Sequence, residues 1–153
     1  MKIKHIWSVL CKESVINQDD NTLYLHGLLE ELTIALSSVN KESKPREKVG
    51  IPINYEIVSL WFKDKKEEIV KAEVEYTLIS PEGSELLKTT QQMEMPRNVR
   101  RFRSRMKIAG MPITKDGDYS FQIKIKESEA KTFTLVSKLP LEVKVTRNIS
   151  SLK

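Results

Sequence analysis

Residues 115–126 read Lys115-Asp-Gly-Asp-Tyr-Ser-Phe-Gln-Ile-Lys-Ile-Lys126. The Asp-Gly pair is turn chemistry, and behind it Tyr119, Phe121, Ile123 and Ile125 alternate with Ser120, Gln122, Lys124 and Lys126. Successive side chains of extended backbone point to opposite sides, so a period of two marks a strand with one face buried and one in water. Residues 69–79 keep the same rhythm, with Val70, Ala72, Val74, Tyr76 and Leu78 against Lys71, Glu73, Glu75 and Thr77. So does the last strand, where a segment around 132–136 leads into Leu139, Leu141, Val143 and Val145 against Glu142, Lys144 and Thr146. Residues 53–63 depart from it: Tyr55, Ile57 and Trp61 face one way while Val58, Leu60 and Phe62 face the other. That is the pattern of a central strand with both faces partly covered.

Turn signals separate these runs. Asp64-Lys-Lys66 and Ser80-Pro-Glu-Gly-Ser84 flank residues 69–79, with Pro presetting φ and Gly free to take φ > 0. The next strand, 86–95, is stopped by Pro96. A basic segment then continues as a strand to Ala109, and Gly110-Met-Pro112 is expected to end it. Toward the N-terminus, residues 3–16 have strand composition, 17–21 form a polar turn cluster, and 22–36 read as two short strands in preference to a strand and a helical turn. Residues 40–48 read as a mobile polar loop inside the domain. Strand signals at this spacing predict an all-β fold, an antiparallel β-sandwich of immunoglobulin-like type with about seven to nine strands. A single domain is expected over 1–147, followed by a flexible tail at 148–153.

The composition agrees. The chain has 153 residues, 39% apolar and 31% charged, with 5 Gly and 6 Pro, which excludes collagen-like, low-complexity and fully disordered classes. Its mean hydropathy is −0.39. No window approaches the ~18 apolar residues of a spanning helix, and the N-terminal apolar run is shorter than a signal-peptide core. A cytoplasmic location is expected. Cys11 is the only cysteine, so no intrachain disulfide forms, as suits a reducing compartment.

The Asp116-Gly-Asp-Tyr-Ser-Phe-Gln-Ile123 stretch resembles the turn-then-Tyr start of a late strand in immunoglobulin-like sandwiches, a reading in which Tyr119 buries its ring and tethers its hydroxyl to nearby backbone. Three features in order, Trp7-Ser-Val-Leu-Cys-Lys-Glu-Ser14, Leu23-Tyr-Leu-His-Gly-Leu-Leu29, and Gly117-Asp-Tyr-Ser-Phe121 with Leu139-Pro-Leu-Glu-Val143, resemble a family of small bacterial β-sandwich proteins of unknown function. Lys12 stands where such proteins often carry an acid. The resemblance implies a bacterial or phage source and a sandwich fold, and it implies no catalytic residues.

Charge is concentrated in one place. The chain carries 26 Lys and Arg against 21 Asp and Glu, net +5, and residues 97–107 hold six cations with no acid, so the rest of the chain sums to −1. On a strand, Arg101, Arg103, Arg105 and Lys107 share one face while Phe102, Ser104, Met106 and Ile108 turn inward. Such a stripe, roughly 20 Å long at ~3.3 Å per residue, could neutralise several phosphates. The plainer reading is that these cations pair across strands with Glu73, Glu75 or Glu94 and protect an edge strand from aggregation.

The remaining chemistry is sparse. His5, His26 and Cys11 fit no local metal spacing, and His5 and Cys11 share strand parity with Trp7 and Val9, which predicts burial or partial burial for them. Asp19-Asp-Asn21 and Asp116-Gly-Asp118 could line one end of a sandwich and take Ca²⁺, but both are ordinary turn sequences. Trp7 and Trp61 read as core anchors, though an exposed Trp would mark a binding surface. No phosphate loop, nucleophile–base pair or carboxylate pair stands out. The expectation is a non-catalytic binding or assembly module, without cofactor or metal, holding a protein partner; the alternative is a nucleic-acid or other polyanion binder using the basic strand 97–107. A homo-oligomer formed through exposed sheet edges fits either.

Overall fold

The computed structural model describes residues 1–37 and 49–148. The loop expected over 40–48 and the tail beyond Asn148 lie outside the described residues. Nine strands follow in chain order: β1 (Ile3–Ile16), β2 (Leu23–Leu28), β3 (Glu31–Ser37), β4 (Val49–Lys63), β5 (Val70–Ile79), β6 (Glu85–Met95), β7 (Arg101–Ile113), β8 (Gly117–Glu127) and β9 (Thr134–Asn148). No helix occurs among the described residues. The protein is an all-β sandwich of two sheets, ordered β2-β1-β4-β7 and β3-β9-β8-β5-β6.

The alternating strands build the second sheet as their period requires. Val70, Ala72, Val74, Tyr76 and Leu78 of β5 are buried, as are Tyr119, Phe121, Ile123 and Ile125 of β8, while Lys71 is exposed and Glu73, Glu75, Lys124 and Lys126 stand half-exposed between them. The inner face of the first sheet supplies Ile3, Leu10, Tyr55, Ile57, Trp61 and Ile108 to the same apolar cluster. Tyr55 and Phe121 meet across the layers with ring centroids 5.8 Å apart. The Tyr119 tether forms as expected: its hydroxyl accepts from the amides of Thr114 and Lys115, both at 3.0 Å, and donates to the Lys115 carbonyl. Gly117, at φ 143°, lets that turn lie against the β5–β6 turn, since a Cβ there would stand 2.8 Å from Pro81 Cγ.

Three details differ from the sequence expectation. β7 runs through Gly110 and Pro112 to Ile113, because Gly110 takes φ 86° beside an irregularity in the β4 partner strand, between Ile51 and Asn54, and pairing resumes at Ile51↔Met111. One neighbour pair is parallel: the two-residue link Leu29-Glu30 carries the chain to the second sheet, where β3 lies beside β9 from Glu31↔Glu142 to Ser37↔Asn148. Finally, a bulge between His5 and Trp7 pairs His5 with Trp61 on the core side and Trp7 with Leu60 on the outer side, so these two residues do not share a face.

Candidate binding groove and the basic strand

The outer face of the first sheet starts from β4, whose Val58, Leu60 and Phe62 point away from the core. An outer face of a sandwich normally meets water, yet Val58 and Cys11 are fully buried and Glu56 is 5% exposed. The cause lies in β1. It pairs with β4 only as far as Cys11↔Glu56, and from Cys11↔Leu28 to Ile16↔Leu23 it pairs with β2 instead. The second half of the β1–β2 hairpin therefore leaves the sheet and folds back over its outer face. The bend sits where Gly27 takes φ 68°, a conformation an L-residue adopts with strain, with the Lys12 side chain packed against it.

The basic strand holds the folded hairpin down. Arg103 Nη1 donates to the Asn21 carbonyl at the hairpin tip at 2.9 Å, and Arg105 Nη1 lies 3.5 Å from both Ser14 O and Ser14 Oγ. Ser14 in turn gives its amide and hydroxyl to the Glu56 carboxylate, at 2.7 and 2.8 Å. A buried carboxylate needs such donors to offset its lost hydration. The tip is closed by its own turn bonds: Asn21 N to Asn17 O at 2.7 Å, and Thr22 N to Asp20 Oδ1 at 3.0 Å, the latter holding the Asp20 carboxyl below its usual range.

Arg101, Arg103, Arg105 and Lys107 do lie on one outer face, opposite Phe62, Leu60, Val58 and Glu56 of β4, and β7 is an edge strand. They are not equivalent. Arg103 and Arg105 are half-buried and engaged with the hairpin, whereas Arg101 and Lys107 are exposed. The expected pairing with Glu73, Glu75 or Glu94 does not occur, because those acids belong to β5 and β6 of the other sheet; among the described residues Glu75 pairs with Lys88 at 3.9 Å. Arg100 stacks over the Phe62 ring at 4.9 Å.

Between the folded hairpin and the sheet an open groove of about 1070 Å³ remains. Ile6, Trp7, Leu60 and Phe62 form its floor, Ile16, Leu23 and Leu25 its far wall, and Asn21, Arg101 and Arg103 its polar rim. Trp61 is buried as an anchor, hydrogen-bonding Ser104 Oγ from Nε1 at 2.9 Å, but Trp7 is half-buried and lines the groove. The basic rim was legible in the sequence, as was the apolar outer face of β4 with Leu60 and Phe62; that Ile6 and Trp7 join that face as one floor was not.

The other candidates resolve into structure. His5 Nε2 meets Ser8 Oγ at 2.6 Å, Ser8 Oγ meets Ser59 Oγ at 2.6 Å, and the His5 ring stands edge-on to Trp61 at 5.2 Å; burial lowers its pKa. Burial, then the Glu56 charge, pushes the Cys11 thiol up. Among the described residues, no group of three or more His, Cys, Asp or Glu is placed to hold a metal. Asp116 Oδ1 accepts from Val145 N at 2.9 Å, a turn-to-strand bond. Lys63, 1% exposed, is satisfied by main-chain carbonyls alone, those of Glu68, Met95 and Pro96. No helix among the described residues is long and apolar enough to cross a membrane.

No protein-family model matches the sequence, and no curated protein matches it. Among solved structures, the C-terminal domain of wzt is similar over 99% of this chain and 83% of that one, at 12% identity and a TM-score of 0.49. The N-terminal domain of PorA is similar over 91% of this chain and 97% of that one, at 8% identity and a TM-score of 0.27.

Proposed function

We propose that the protein is a non-catalytic binding module that takes an amphipathic, acidic segment of a partner protein into the groove on the outer face of its first sheet. The observation that carries this reading is the joining of an apolar floor to a cationic rim: Trp7, Leu60 and Phe62 beside Arg101 and Arg103. Apolar surface left open in one place and bordered by the exposed Arg101 guanidinium suits a ligand bearing both apolar side chains and carboxylates. A nucleic-acid backbone is favoured less, because Arg103 and Arg105 already hold the hairpin and the floor is apolar where phosphates want cations.

The test is isothermal titration of the full chain with a soluble peptide alternating Leu and Glu, its Leu/Lys counterpart, and a single-stranded oligonucleotide. Binding of the acidic peptide alone, weakened about tenfold or more by either Leu60→Lys or Arg101→Glu, is the expected result. Equal binding of the lysine peptide overturns the reading. So does oligonucleotide binding that is lost on reversing Arg101, Arg103, Arg105 and Lys107 to Glu but survives Leu60→Lys, which would install polyanion binding instead.

A further inference from the structure

The hairpin covers the outer face of the first sheet from one end only. Arg105, Arg103 and Arg101 step along β7 from beneath the hairpin, at Ser14, to its tip, at Asn21, and then past it. Beyond the tip the floor ends at Phe62, the register partner of Arg101, where β4 and β7 both give way to turns. Those two turns, residues 64–69 and 96–100, are joined by the Asn98 amide, which donates to the Lys66 carbonyl at 2.8 Å. Cations gather on them. Arg97, Arg100 and Arg101 stand exposed in a stretch, 97–101, that holds no acid, and exposed Lys66 lies beside it. Among the described residues none of these four forms an ion pair. Asp64 and Glu68 of the neighbouring turn are taken by Lys4, at 3.1 Å, and Lys2, at 3.5 Å, which leaves Glu67 as the one acid there outside an ion pair. Arg100 is fixed by its stack on the Phe62 ring, 4.9 Å from the centroid, so a guanidinium is held at the open end of the groove over the ring that ends its floor.

We infer that the partner segment is bipartite: its amphipathic part fills the groove and continues, past Phe62, into a run of carboxylates that lies over Arg101, Arg100, Arg97 and Lys66. This rests on the groove reading above and adds to it the chemistry of the residues that flank the bound part. Geometry selects the path. The end of the face at Glu56 and Val58 is sealed by the hairpin, so a chain longer than the groove leaves by the end where the two turns meet. Charge selects what that chain carries. Three guanidiniums without acidic partners are matched by carboxylates, which accept two parallel N–H bonds from each fork, and the partner that supplies the groove ligand supplies these from the same polypeptide. Arg97 stands four residues from Arg101, at most about 14 Å of chain, which sets the acidic run at about four extended residues.

Isothermal titration of the full chain with the Leu/Glu peptide, and with the same peptide lengthened at either end by four Glu or by a Gly-Ser spacer of equal length, tests this. Binding about tenfold tighter at low ionic strength is expected from Glu at one end at least, shrinking toward parity in about 0.5 M salt, while the Gly-Ser spacer adds nothing. Lys66→Glu combined with Arg97→Glu removes the gain and leaves the affinity for the shorter peptide within about twofold. Lys124→Glu combined with Lys138→Glu, the same charge change made on the second sheet, keeps the gain. Binding of the shorter peptide with no gain from Glu at either end overturns the inference and leaves the groove reading standing. So does a gain that the Gly-Ser spacer reproduces, that survives Lys66→Glu with Arg97→Glu, or that is lost equally with Lys124→Glu and Lys138→Glu. If the shorter peptide does not bind, the groove reading falls and the bipartite segment falls with it.

Discussion

The two sheets treat their outer faces in opposite ways. The second sheet turns Glu73, Glu75, Lys124 and Lys126 to water and buries every second residue, while the first buries Val58 on the side away from the core as completely as Trp61 on the side toward it. The difference comes from chain path. β1 exchanges its partner at Cys11, lifts off with β2, and brings the hairpin over β4. A face can thus be apolar without facing the core, and the space left under its cover is lined with apolar side chains.

Changing one residue on each outer face gives the sharpest contrast. Val58→Asp is expected to cost about 3 kcal/mol, because it takes a carboxylate out of water under the hairpin with only Arg105 beside it, whereas Lys124→Ala changes stability by about 0.5 kcal/mol at most. Urea melts of both variants decide it, and similar midpoints would show the first face to be open to water. Tyr119→Phe comes next, at about 2 kcal/mol, since the amides of Thr114 and Lys115 lose their acceptor. Its effect belongs to the second sheet, so hydrogen exchange should quicken around the β7–β8 turn and stay slow at the β1–β2 hairpin. Arg103→Ala, at about 1 kcal/mol, should do the reverse, speeding exchange of the hairpin-tip amides near Asn21 and leaving the β7–β8 turn protected.

The smallest effect is in pH. The Cys11 thiol is raised by burial and by Glu56, so folding favours its protonated form. That contribution is complete below the titration of the unfolded thiol and is lost as pH rises through the higher folded value. Wild type should lose slightly more stability than Cys11→Ala between neutral and strongly alkaline solution, and its thiol should react with a disulfide reagent only after the hairpin lifts.

Strand type was legible wherever one face meets water, as in β5 and β8, and the two-faced pattern of β4 predicted the partial cover found on both sides. What the pattern of β4 could not say is what covers the second face. That depends on Gly27 taking φ 68° and on the irregular pairing between His5 and Trp7, backbone choices for which period-two alternation carries no mark. The cationic stripe was legible for the same reason as β5, but its partners were not: Arg103 and Arg105 reach main-chain carbonyls 82 and 91 residues distant, beyond any local rule.

The parallel pairing of β3 with β9 has a consequence in time. Glu31 meets Glu142, so β3 has no partner in its own sheet until the last strand of the domain has been made. Closing a loop of that length precedes any gain from the contact, which places this protein among slow-folding, non-local topologies. During synthesis, the first eight strands leave the ribosome with one margin of the second sheet still open. Until β9 is added, the edges of β3 and β8 that flank it stay unpaired together, and it is in that state that a chaperone would find the chain.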